Sequence, residues 1–114
     1  MSMTCIDDEL KTSLINSHII SFRKDLCKLI KELQTKFDYN EQPFMKTAHD
    51  IVVEKSLKKF DLDCALNVIE RINGFYDKLQ HEEYFNSYVV VKLVSCSTHL
   101  DIIQRLIHGE DSDE

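Results

Sequence analysis

Apolar residues recur every three or four positions along most of this chain. Between Asp7 and Phe37 they fall at Leu10, Leu14, Ile19, Phe22, Leu26, Leu29, Leu33 and Phe37, the period of one helix face. Lys24, Asp25, Lys28, Lys31 and Glu32 fill the opposite side. The pattern predicts a long first helix, with Thr4 and Asp7 or Asp8 to cap its start. The stretch "SLINSHIIS" holds many poor helix formers, which leaves the helix open to a bend or break near Ser17. "DYNEQP" supplies turn chemistry, and Pro43 suits the first position of a second helix with Phe44, Ala48, Ile51, Val52 and Leu57 on one face. A third helix starts with Asp61 or Asp63 as N-cap and carries Leu62, Ala65, Leu66, Ile69, Ile72, Phe75 and Leu79 as its buried stripe. Gly74 inside it costs about 1 kcal/mol against Ala, and close packing by a neighbouring helix would account for its presence.

"QHEE" reads as a short connection. In "EYFNSYVVVKLVS" the three valines favour a strand by propensity. Tyr84, Phe85, Tyr88, Val91 and Leu93 fit neither period, and no second strand offers a pairing partner, so the segment is assigned as a buried helix. "SCSTHLDIIQRLI" supplies the last helix: Thr98 and Asp101 as a capping box, Leu100, Ile103 and Leu106 as the stripe, Gly109 as the stop. The expectation is an all-α fold, a compact bundle of about five helices with a long first helix. Residues 1–109 form one domain, and 110–114 an acidic disordered tail.

Composition sharpens this. Two Gly and one Pro in 114 residues disfavour a strand-and-turn architecture. The net charge is −6, but four negative charges sit in the last five residues, "EDSDE", leaving about −2 on the body. A body so near neutral lacks the basic field that attracts nucleic acid. No apolar run approaches the roughly 20 residues of a membrane span, and "MSMTCIDDELK" lacks the pattern of a signal peptide. A nuclear or cytoplasmic, intracellular location is expected. Cys5, Cys27, Cys64 and Cys96 are widely spread, with no C-x-x-C pair, and read as reduced thiols.

Little in the sequence suggests catalysis. Cys96 and His99 lie three residues apart, and His81, Cys27 or Cys64 would have to complete a zinc site. Structural zinc normally shows two close ligand pairs, and here there is one. The same Cys96–His99 pair lacks an oxyanion hole or Gly-rich turn for nucleophilic chemistry. With only Gly74 and Gly109, no phosphate-binding glycine loop exists. Asp7-Asp8, Asp61/Asp63 and Glu82-Glu83 fall at helix starts, where carboxylates complement the helix dipole. Arg23, Lys24, Lys28, Lys31 and Lys36 read as a solvated face of the first helix. No catalytic, cofactor-binding or metal residues are assigned, no cofactor or small-molecule substrate is expected, and the chain is read as a non-enzyme.

Partner binding remains, and Phe60 is its focal residue. Between Lys58-Lys59 and Asp61 it has two readings. Before an Asp61 cap it staples onto Ala65 or Leu66 and is structural. Alternatively it is an aromatic anchor in an interhelical loop, beside a carboxylate that accepts backbone N–H bonds from a peptide.

"SLKKFDLD", the striped helix "CALNVIERINGFYDKLQ", a short acidic break and "YFNSYVVVKLV" together resemble the integrase-binding domain of lens epithelium-derived growth factor and the hepatoma-derived growth factor-related proteins. That domain belongs with helical modules like the N-terminal domain of transcription elongation factor S-II. The resemblance covers roughly 44–107 and leaves the long first helix outside it. It implies a right-handed bundle of short helices without enzyme activity. Disordered peptides of chromatin and transcription proteins, or a retroviral integrase, dock on such domains between two interhelical loops. Phe60-Asp61 stand where the family presents an apolar residue and an aspartate. "SCSTH" stands where it presents a phenylalanine, with His99 as the only ring. Lys58, Lys59, Phe60, Asp61 and His99 are therefore the expected partner-binding residues, for a nuclear protein or peptide. Two other readings stay open: a structural subunit whose long helix forms a homodimer or docks in a larger complex, and a small viral host-modulating bundle.

Overall fold

The computed structural model describes residues 8–80 and 86–108. They form helices α1 (Asp8–Phe37), α2 (Phe44–Val53), α3 (Leu62–Gln80) and α4 (Ser87–His108), with one 3₁₀ turn, Leu57–Lys59, between α2 and α3. The fold is all-α, with a long first helix, as the periodicity predicts. The described helices number four instead of about five because "SCSTH" continues α4 without a break. Thr98 is not a cap: its hydroxyl donates to the Val94 carbonyl at 2.8 Å, a bond that a threonine makes inside a helix. The expected caps at Thr4 and Asp7, the residues His81, Tyr84 and Phe85, Gly109 and the acidic tail lie outside the described residues.

α1 runs unbroken through Ser17. Asp8 and Glu9 in its first turn and Lys36 in its last complement the dipole. At 30 residues it is about 45 Å long, three times the length of α2. Asp38 ends it in the left-handed region (φ 53°), which aspartate tolerates, and the Tyr39 N–H bonds the Leu33 carbonyl at 3.1 Å. Tyr39 stacks on Phe75 with ring centroids 3.9 Å apart, and Phe37 meets the same ring edge-on. This aromatic cluster ties the turn to α3.

Each helix packs on its chain neighbour, and α4 closes the ring on α1. Glu32 accepts from Asn86 just before α4, Asp25 from Ser95, and His18 meets His99 near the other end, so α1 and α4 are antiparallel. Asn86 is the N-cap of α4, accepting the Val89 N–H at 3.2 Å. The core joins Phe22, Leu26, Leu29 and Leu33 of α1 to Met45 and Ala48 of α2, Ala65, Ile69 and Ile72 of α3, and Val89, Cys96, Leu100 and Ile103 of α4.

The α2–α3 connection meets α1 at its middle, near Phe22 and Arg23. The N-terminal half of α1 and the C-terminal half of α4 therefore project together beyond the shorter helices. The apolar stripe loses its cover there: Leu10 is 52% exposed, Leu14 36% and Ile107 50%.

Other expectations change locally. Leu57 leaves the second helix for the 3₁₀ turn. Arg23, expected in solvent, is only 8% exposed, while Lys24, Lys28, Lys31 and Lys36 do face solvent. The valine segment is a helix with one buried side; Tyr88, Val91 and Val94 lie outside it, 42%, 59% and 60% exposed. Gly74 has no close neighbour, since a Cβ there would meet nothing within 4 Å.

Candidate docking groove

The segment from Glu54 to Asp61 folds on its own polar groups. The Glu54 carboxylate accepts the Ser56 N–H at 2.8 Å, and the Phe60 N–H closes the 3₁₀ turn on the Leu57 carbonyl at 3.3 Å. Asp61 is the N-cap of α3, accepting the Cys64 N–H at 3.0 Å. With both sides of Phe60 fixed, its half-buried ring turns inward. It meets Phe22 edge-on at 5.9 Å, and the Arg23 guanidinium lies 5.6 Å from the ring centroid. Arg23 donates through Nη2 to the Ser56 carbonyl at 3.3 Å, while its buried Nε has no hydrogen-bond partner. Desolvation lowers the Arg23 pKa, opposed by the nearby Glu54 carboxylate.

Phe60 is a partition between two cavities. On one side lies a groove of about 510 Å³ whose walls are Ile15 and Ile19 of α1, Leu57 and Phe60 of the connection, and Ile103 and Ile107 of α4. Most of its lining surface is apolar, and Thr12, Asn16, Ser56 and Lys58 complete the lining. On the other side a smaller cleft of about 250 Å³ lies against Arg23, Ile51, Glu54, Lys59, Asp61 and Cys64. A larger hollow of about 690 Å³ by Tyr39, Glu41, Arg71 and Gly74 is a weaker candidate. It is more polar, and Arg71 and Glu41 pair with each other at 3.3 Å.

Lys58, Lys59, Phe60 and Asp61 thus cluster at the groove and cleft, with the lysines exposed. His99 does not join them in a loop. It is a half-buried residue of α4 whose Nδ1 is 2.9 Å from His18 Nδ1 and whose Nε2 is 3.7 Å from the Asp25 carboxylate. Asp25 also accepts from the Ser95 hydroxyl and faces Lys92 Nζ at 3.5 Å. Burial, His18 and, in the opposite sense, Asp25 leave the His99 pKa below its ordinary value. Cys96 lies in the core, its thiol pushed up to about 12 by burial and by Asp25. Among the described residues no three His, Cys, Asp or Glu side chains form a metal-sized cluster.

Sequence reasoning missed the isoleucine walls. Ile15 and Ile19 are four residues apart, as are Ile103 and Ile107. Each pair is a helical repeat, but only the tertiary fold shows that the two pairs face each other beyond the shorter helices. No family model, curated protein or solved structure matches the chain.

Proposed function

We propose that this chain is a non-enzymatic protein-interaction adaptor that receives an amphipathic segment of a partner protein in the groove between α1, α4 and Phe60. The observation that carries the reading is the groove at the projecting end of the bundle, where partly buried Ile15, Leu57 and Phe60 and exposed Ile107 leave apolar surface beside the buried Ile19 and Ile103. A helix face presenting apolar residues at i, i+3 or i+4, and i+7 is the form of partner that an apolar groove between helices receives. Exposed Lys55, Lys58 and Lys59 on the connection favour acidic residues flanking that face and would steer their approach. The resemblance to integrase-binding domains adds the proposal that the partner is a nuclear chromatin or transcription protein. It shares with the groove the use of Phe60 and its loop; the "SCSTH" part of that resemblance lies within α4.

A second reading, a subunit that self-associates, has one observation in its favour: the exposed line of Tyr88, Val91 and Val94 on α4. Selection from a displayed library of random peptides of about 16 residues tests both. The groove reading expects apolar, acid-flanked winners that bind Ile107→Asp at least about tenfold more weakly and Val91→Asp normally. Winners indifferent to Ile107→Asp, or no apolar consensus at all, would contradict it.

A further inference from the structure

We propose that the groove is gated by acid: protonation of the His18–His99 pair spreads α1 from α4 and exposes more of the groove's isoleucine wall. The inference rests on the docking reading for its biological use, but its structural basis is separate.

The two Nδ1 atoms are 2.9 Å apart, and the ring centroids 5.1 Å. One nitrogen must donate and the other accept, so at least one ring is neutral. Two imidazolium rings would turn N–H groups of like charge toward each other, and the contact would break.

The surroundings do not absorb a second proton. From α1 the pair meets Asp25, and from α4 Lys92, which stands 3.5 Å from the same carboxylate, already engaged by Ser95. Cys96 beside them on α4 is an uncharged thiol. The charged groups acting on His99 among the described residues are His18 and Asp25, with none from α2 or α3. Asp25 offsets one positive charge, and Lys92 already supplies it.

Position turns this into a gate. His18 precedes the wall residue Ile19, and His99 stands one turn before the wall residue Ile103. Neither histidine lines the groove itself; the pair joins α1 to α4 beside these wall residues, so a change in the α1–α4 contact there would move the two walls relative to each other. The sign follows: the contact survives one proton and is lost only with the second, and because burial and His18 hold the His99 pKa below its ordinary value, that loss comes as pH falls below the ordinary histidine range.

The test uses the whole chain and the apolar dye 8-anilinonaphthalene-1-sulfonate between about pH 7.5 and 5.5, with helicity followed by circular dichroism. Dye fluorescence is expected to rise at least about threefold in the parent at constant helicity. The rise should be largely absent from the His18→Asn, His99→Asn protein, whose amides keep a polar contact but do not titrate. A flat parent, or an equal rise in the double variant, overturns the proposal. If the double variant fails to fold, nuclear magnetic resonance titration of the parent decides. Methyl shifts of Ile15, Ile19 and Ile103 moving with the His18 and His99 midpoints support the gate, and methyls unmoved through those midpoints refute it. Peptide selection at about pH 7.5 reports on the docking reading alone, so the two can fail independently.

Discussion

Replacing Phe60 by alanine separates the structural load on this residue from its use as a groove wall. A buried aromatic covers roughly 200 Å², and a half-buried ring about half of that. At about 25 cal/mol per Å², truncation loses roughly 2.5 kcal/mol of burial, an upper figure because the unfolded chain is itself partly compact. The edge contact with Phe22 and the Arg23 guanidinium near the ring each add about 0.5–1 kcal/mol. Admitting water to the orphaned Arg23 Nε returns part of this. The expected net cost is about 2 kcal/mol, read from urea unfolding by circular dichroism with an unchanged m-value. Phe60→Leu, which keeps most of the volume, should cost less than about 1.5 kcal/mol. A Phe60→Ala protein within about 0.5 kcal/mol of the parent would refute the inward placement of the ring and favour a fully exposed anchor.

Three further outcomes follow from single sites. Asp61→Ala removes the side-chain acceptor of the Cys64 N–H and should lower stability by about 1 kcal/mol in the same assay. Gly74→Ala should raise it by about 0.5–1 kcal/mol, because the new Cβ meets nothing within 4 Å; a loss would mean that the surface is occupied. With its thiol pushed up to about 12, Cys96 should resist alkylation in the folded protein near neutral pH while half-buried Cys27 and Cys64 react faster; mass mapping that finds Cys96 labelled first would contradict its burial.

The features legible in the sequence are those set by neighbours one helical turn apart. Asp61 is identifiable as a cap because an N-cap acts three residues ahead. The helical character of α1 and α3 follows from their apolar spacing. The segment around Thr98 misled because serine and threonine suit caps and turns as well as helix interiors that bond back one turn. Arg23 carried a usable local signal: it sits four residues after Ile19 and three before Leu26, on the buried side, where its charge disguised it. His18 and His99 are 81 residues apart and meet only because α1 and α4 run antiparallel. The groove is hidden for the same reason, since it depends on α2 and α3 being shorter than the helices they clasp.

The central claim is that the projecting end of α1 and α4 is a docking surface. Amide and methyl nuclear magnetic resonance spectra of the full chain, recorded with and without a selected peptide, test it most directly. Perturbations should concentrate at Ile15, Ile19, Leu57, Phe60, Ile103 and Ile107, the residues that wall the groove. Perturbations confined to Tyr88, Val91 and Val94, with the groove resonances unmoved, would contradict the claim.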